Sequence, residues 1–349
     1  MHSSDDDDVI VIGAGQAGLA TAYQLQKAGM RCRILEGSDT PAGSWPRYYD
    51  SLVLFSPARY SSLPGLEFPG DPKHYPTRDE VTSYLTRYAH EFGFLIEYDS
   101  RVVDVRRDTG WFLVVTESGK TYRARAVVVA TGSFSHPNVP QIDGQETFKG
   151  RRLHALDYRE PSQYRGQRVV VVGAGNTAVQ IAVELAEVAV VTLATREPIR
   201  YLPQRILGLD IHVWFHYTKL DRTKWISDQS TPVLDDGTYR KAIGGGKPQH
   251  RPMFKAFYDE GVIWNDGVGE RVDAVIFGTG YRSTASYLKS LAALDERGII
   301  MQEKGVSPSV PGLYYVGFSK QRNFASATLR GVGPDASYVV NRLATYLAR

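Results

Sequence analysis

Twice in this chain an apolar run breaks into a glycine turn and continues as an apolar helix. The first copy is VIVIGAGQAGLA, from Val9, and the second is RVVVVGAGNTAVQ, from Arg168. A short uninterrupted apolar run reads as a strand of a parallel sheet, buried on both faces. In each copy a further strand follows the helix: RCRILEG after the first and AVVTLAT after the second. Each copy is therefore a βαβ unit, and two of them imply an α/β chain with two Rossmann-like dinucleotide-binding domains. Between them lie a helix near Arg78–Phe92, alternating strands around RVVDVRRDTGWFLVVTESGKTYRAR and the apolar strand AVVVATG. VDAVIFGTGY supplies a late strand, and GLYYVGF with a helix near Gly333–Leu347 returns to the first unit. The expected arrangement is a discontinuous first domain, 1–158 and 284–349, with the second, 159–283, inserted into it. Residues 198–260 are expected to be an irregular elaboration. Its aromatics, Tyr201, Trp214, Phe215 and Trp225, are read as packing in preference to substrate access.

In the first turn Gly13 permits the tight bend, Gly15 lets the backbone approach a pyrophosphate, and Gly18 lets helix and strand pack closely. Unpaired N–H groups at the helix start attract phosphate. Glu36, about twenty residues on, is placed to accept from a ribose. The second turn, Gly173-Ala174-Gly175-Asn176-Thr177-Ala178, leads to no such acid; Thr195-Arg196 stands there instead. Arg196 can pair with a 2′-phosphate and Thr195 can serve a plain ribose, so both NADPH and NADH are expected. One site then holds a resident redox cofactor, and the strand ending Ala130-Thr131-Gly132 suits FAD. The other admits a nicotinamide.

With 349 residues, 42% hydrophobic and 23% charged, the chain has room for two ordinary domains. A net charge of +3 without a basic stripe argues against nucleic acid. No apolar run is long enough to cross a bilayer. MHSSDDDD lacks the features of a signal peptide and reads as a solvated tail, which suggests a cytoplasmic protein. The single cysteine, Cys32, fits a reducing compartment and excludes a dithiol relay. No metal site is expected.

Between the turns, FKGRRLHALDY sets Phe148, Gly150, His154 and Tyr158 at the spacing F-x-G-x-x-x-H-x-x-x-Y. This resembles the fingerprint of flavin-containing monooxygenases and Baeyer–Villiger monooxygenases. The resemblance covers almost the whole chain: first turn, PAGSWPRYYDSL, fingerprint, second turn, GTGYR and GLYYVGF follow in the family's order. It is nearest to the short bacterial type of class B flavoprotein monooxygenase. The resemblance implies FAD contacts at Gly13, Gly15, Gln16, Ala17, Gly18, Glu36, Ser44, Trp45, Val102, Thr131 and Gly132. It implies nicotinamide contacts at Gly173, Gly175, Asn176, Thr177, Thr195 and Arg196, with Gly280 and Tyr281 also at the cofactors. His154 would join the domains so that nicotinamide meets flavin. The implied chemistry is reduction of FAD by NAD(P)H, formation of a C4a-(hydro)peroxyflavin with O2, and oxygen transfer to thioethers and amines. Weak Baeyer–Villiger activity on ketones and a homodimer are implied as well.

Phe55, in SLVLFSPARY, stands where many members place an asparagine over the flavin. Phenylalanine donates no hydrogen bond, so leakage to hydrogen peroxide is expected, unless Phe55 is simply core. The fingerprint ends Tyr158-Arg159, not in tryptophan, which argues against a dedicated ketone oxygenase. The competing readings are an NAD(P)H oxidase or diaphorase releasing peroxide and a non-catalytic flavoprotein sensor. The sequence offers no convincing acid–base dyad.

Overall fold

The computed structural model describes residues 6–134, 136–223 and 232–349. The chain opens with β1 (Asp7–Ile12), α1 (Gln16–Lys27) and β2 (Cys32–Leu35), the anticipated βαβ unit. Asp7 and Asp8 are not a solvated tail. Asp7 is 2% exposed, begins β1 and pairs with Arg33, the Nε–Oδ2 distance being 2.8 Å. Asp6 is likewise buried, and residues 1–5 of the expected tail lie outside the described residues.

Helix α2 (Arg78–Glu91) leads to β3 (Ile96–Glu97), followed by β4 (Val102–Asp108), β5 (Trp111–Thr116) and β6 (Thr121–Val129). The strand order is β3-β2-β1-β6-β5-β4. Within β1 and β6 alternate residues face opposite sides, as the two-residue period of a strand requires. Val9, Val11, Ala126 and Val128 join the core under α1 and α2, whereas Ile10, Ile12, Val127 and Val129 join the core on the other face. Apolar side chains at every position thus reflect a sheet covered on both sides.

The second sheet is all parallel, in the order β14-β9-β8-β18-β7. It begins with β7 (Arg151–His154), then β8 (Arg168–Val172), α3 (Asn176–Leu185) and β9 (Val190–Thr195). Val169 and Val171 face one core, Val170 and Val172 the other. Because β7 pairs with the later strand β18, the second sheet starts ahead of the expected boundary at 158/159.

The stretch expected to be irregular carries regular elements. They are β10 (Tyr201–Pro203), β11 (Arg205–Ile206), β12 (Leu209–Asp210), α4 (Ile211–Thr218), β13 (Val233–Asp235), α5 (Thr238–Gly244) and β14 (Gln249–Pro252). Their shortness explains why periodicity missed them: two or three residues give no alternation to count. Phe215 is buried, Tyr201 packs against the second core, and Trp214 donates from Nε1 to the Ile206 carbonyl at 3.1 Å. Trp225 lies outside the described residues. A three-stranded antiparallel sheet follows, β15 (Ala256–Tyr258), β16 (Gly261–Ile263) and β17 (Gly269–Arg271), and then β18 (Ala274–Phe277).

The chain returns through β19 (Leu313–Tyr315), which lies parallel to the last residues of β6, and ends in α6 (Leu329–Leu347). This helix begins earlier than the expected Gly333. Proline is favoured in a first turn because its missing N–H is unpaired there anyway, yet Pro334 is not at the start of this helix. It instead lies inside the helix.

Candidate functional site

The helices differ in how they begin. Thr77 caps α2 with a full capping box, its hydroxyl accepting from the Glu80 N–H while the Glu80 carboxylate accepts from the Thr77 N–H. At α1 and α3 the N-cap residues are Gly15 and Gly175, and neither helix has a side-chain cap. The first-turn N–H groups and the positive helix end are thus offered outward. An uncapped helix behind a glycine turn is what a pyrophosphate requires, and both turns meet that requirement.

Backbone contacts fix each turn. Gly13 has φ +103°, and a Cβ there would lie 3.0 Å from the Ala130 carbonyl oxygen. A Cβ on Gly18 would overlap the Gly13 carbonyl oxygen. Gly173, at φ +138°, presses in the same way on the Gly278 carbonyl. The ends of β6 and β18 therefore act as floors for the two turns. A Cβ on Gly175 would meet nothing within 4 Å, so its face is open to a ligand.

Glu36 is buried beneath the first turn. Its Oε2 accepts from the Ala14 N–H at 2.6 Å, and its Oε1 accepts from the Ser38 N–H at 3.0 Å. Gln16 spans three segments: its Nε2 donates to the Ala327 carbonyl at 2.6 Å and its Oε1 accepts from Trp45 Nε1 at 3.0 Å. Ala17 packs where a Cβ on Gly317 would stand. Ser44 Oγ lies 3.2 Å from the Tyr48 hydroxyl, and Thr131 Oγ1 3.0 Å from the Tyr287 hydroxyl. Gly132 turns the chain at φ +67°. Val102 points into the core, beside the Ser100 N–H that donates to the Glu36 carbonyl at 2.7 Å.

At the second turn Asn176 is held by strand backbone: its Nδ2 donates to the Pro232 carbonyl, and its Oδ1 accepts from the Leu234 N–H, both at 3.1 Å. Thr177 sits half-buried in the first turn of α3. Thr195 is buried at the end of β9, its hydroxyl 2.9 Å from His250 Nε2 on neighbouring β14. Arg196 is exposed and makes no hydrogen bond or ion pair among the described residues. The sequence does not single out His250, because only the parallel pairing of β14 with β9 brings it to Thr195.

The fingerprint residues lie along and beside β7. Phe148 is buried against Phe257, and a Cβ on Gly150 would lie 2.7 Å from the Asp273 carbonyl oxygen. His154 Nδ1 accepts from the Leu156 N–H at 3.1 Å, so Nε2 carries the proton and donates to the Gly280 carbonyl at 3.0 Å. Burial pushes this imidazole below the usual histidine range, and its bond to Gly280 only partly offsets that. The residue is thus a neutral tie between β7 and the GTGYR loop. Its ring meets Tyr281 edge-on at 4.8 Å, and burial raises the Tyr281 phenol to about 12. The Tyr158 hydroxyl donates to Glu184 on α3 at 2.9 Å.

Phe55 is not core. It is 36% exposed and stacks on His212 with ring centroids 6.5 Å apart. Behind that ring stands a dyad that the sequence does not reveal. Asp210 Oδ1 accepts from both the backbone N–H and Nδ1 of His212 at 2.8 Å, and Oδ2 accepts from the Tyr75 hydroxyl at 2.5 Å and Gln204 Nε2 at 2.7 Å. Burial alone would raise the Asp210 carboxyl, but these donors hold it down at about 2. The spacing Asp-x-His doubles as a helix cap, so the sequence alone gives it no chemical meaning. Cys32, packed against the first core, has its thiol pushed up to about 12 by burial, as suits an inert side chain.

Residues 10–212 match the family model described as pyridine nucleotide-disulphide oxidoreductase. The chain is 37% identical over 341 residues to a CzcO-like oxidoreductase of Geobacillus kaustophilus, covering 96% of this chain and 97% of the relative. It is 30% identical over 388 residues to an indole-3-pyruvate monooxygenase, YUCCA4, of Oryza sativa subsp. japonica, covering 96% of this chain and 87% of the relative. Among solved structures, the flavin-containing monooxygenase of Stenotrophomonas maltophilia superposes with a TM-score of 0.87 at 32% identity, covering 98% of this chain and 99% of that one. Cyclohexanone monooxygenase from Rhodococcus sp. Phi1 shares the fold at 17% identity, with a TM-score of 0.71 over 98% of this chain and 85% of that one.

Proposed function

Since the chain belongs to the flavin-containing monooxygenase family and is a flavin-dependent monooxygenase, we propose that its two turns divide the cofactors as follows. FAD lies on Gly13–Gly18 with Glu36 at its ribose, and NADPH or NADH lies on Gly173–Ala178 with Thr195 and Arg196 at the adenosine end. Bound FAD supplies the chemistry: it takes two electrons from the nicotinamide and activates O2 for transfer of one oxygen atom to a thioether sulfur or amine nitrogen. The protein's share is to bind, orient and exclude water. Ala14, fixed by Glu36, sets the first turn. His154 does not join the two units as expected: neutral and tied to Gly280, it fixes the end of β7 to the loop that follows its neighbour β18, within the second unit.

The observation that carries this reading is the pair of uncapped helix starts at Gly15 and Gly175, facing ligands in a chain whose other long internal helix, α2, is fully capped by its own side chains. The test is anaerobic. The flavoprotein is reduced with NADH and, separately, with NADPH, then mixed rapidly with O2 while its absorbance is followed. A transient near-ultraviolet band before oxidised flavin returns, with sulfoxide formed from a thioether, is the expected outcome. Direct return with stoichiometric peroxide would instead support an NAD(P)H oxidase. The exposed, donor-free Phe55 favours that second reading. Comparable reduction rates with both coenzymes are expected from Thr195-Arg196, and a preference for NADPH of about a hundredfold, some 2.7 kcal/mol, would refute relaxed coenzyme choice. Homodimerisation, by analogy with the family, is checked by sedimentation.

A further inference from the structure

A cavity of about 90 Å³ lies between α4, the turn that follows it and the first turns of α6. Its lining includes Tyr60, His212, Lys219, Asp221, Arg222 and Arg330. One deeply buried acceptor stands in its wall without a donor among the described residues. Asp221, 1% exposed, gives Oδ2 to Arg330 and leaves Oδ1 unpartnered. His212, 2% exposed, donates from Nδ1 to Asp210 and lines the same cavity. A buried carboxylate oxygen without a donor is unfavourable, so Asp221 Oδ1 calls for a ligand that donates. The rim has the opposite character: Lys219 and Arg222 are exposed cations. An ammonium ligand would satisfy the floor but be repelled by the rim. A carboxylate would suit the rim but strand the floor. A molecule carrying both groups on adjacent atoms answers both demands.

We propose that this cavity binds the zwitterionic head of an α-amino acid, with the ammonium on Asp221 Oδ1 and the carboxylate at Lys219 and Arg222. The inference deepens the monooxygenase reading and rests on it for its consequence, that the sulfur or nitrogen to be oxygenated is carried by an amino-acid side chain. The His212 ring, stacked between Phe55 and Tyr60 with centroids 6.5 and 6.2 Å away, links the cavity to the Phe55 position. Ala325, in the cavity wall, lies close in sequence to Ala327, whose carbonyl accepts from Gln16 of the first glycine turn.

The test is calorimetric titration of the oxidised, FAD-loaded protein, without nicotinamide, using three thioethers. L-Methionine carries both charges, 3-(methylthio)propanoate only the carboxylate and 3-(methylthio)propylamine only the ammonium. Methionine is expected to bind at least about tenfold more tightly than either analogue. Equal or tighter binding of an analogue overturns the proposal. Asp221→Asn is expected to abolish methionine's advantage over the propanoate. Should that variant fail to fold, the exposed double variant Lys219→Ala, Arg222→Ala is expected to weaken methionine and the propanoate while sparing the amine; unchanged methionine binding in it overturns the proposal. Turnover of thioanisole, which has neither charge, separates the two claims. Sulfoxide from thioanisole without methionine binding sinks the amino-acid site alone, whereas methionine binding without sulfoxide from either sulfide sinks the monooxygenase reading alone.

Discussion

Single atoms decide whether the glycine turns hold. Gly18→Ala places its methyl on the Gly13 carbonyl oxygen, so the protein is expected to purify with little FAD, read as the ratio of flavin to protein absorbance. Gly175→Ala meets open space, so its melting temperature should stay within a degree or two, but the methyl stands where the backbone approaches a pyrophosphate. Its dissociation constant for NADP+ should rise by about tenfold, worth some 1.4 kcal/mol. His154 gives a pH signature. Its folded pKa is depressed by burial, so the cost of charging it is absent above about 6.5, where the unfolded chain is also neutral. As pH falls below that value the unfolded state takes up a proton that the folded state resists, and stability declines until the folded pKa is passed. His154→Gln should flatten the slope of melting temperature between about pH 6.5 and the lower folded value; an unchanged slope would put the effect elsewhere. Glycines and Glu36 were legible because a turn and a strand end fix their places. His212 was not, since its meaning depends on Asp210, Tyr75 and Phe55 converging from separate segments.

Elements were legible in proportion to their length and period. Strands β1 and β8 run apolar without a break, and α1 and α3 follow at once, so the sequence marks them unambiguously. The short strands β10 to β13 carry no countable alternation, and α6 hides its start behind Pro334. The capping box of α2 sets it apart from α1 and α3, which begin uncapped at glycine. Thr77→Ala removes the α2 capping box and should cost about 1 kcal/mol in denaturant unfolding, with the rate of flavin reduction unchanged. A slowed reduction in that variant would mean that α2 does more than support the first core.

The two sheets are tied together at a few places. The Asp50 N–H donates to the Arg159 carbonyl at 2.9 Å, the Arg159 guanidinium donates to the Arg47 carbonyl, and the Tyr49 hydroxyl donates to Gln180 of α3. Arg159→Ala should therefore slow anaerobic flavin reduction by about tenfold through lost alignment, with FAD content unaltered. Loss of FAD from that variant would show instead that the contact stabilises the first unit. The presence of two nucleotide-binding units was legible in the glycine spacing, but their seam was not: β7 reads as a connector until β18 pairs with it. The return of β19 has a consequence for how the molecule is made. Its partner β6 ends at Val129, whereas β19 begins at Leu313, and everything between must be synthesised first. On the ribosome, the far edge of β6 waits uncovered while the strands of the second sheet are made. The contact of Gly317 with Ala17 beside the first glycine turn cannot form until Gly317 has been made, after every strand of the second sheet.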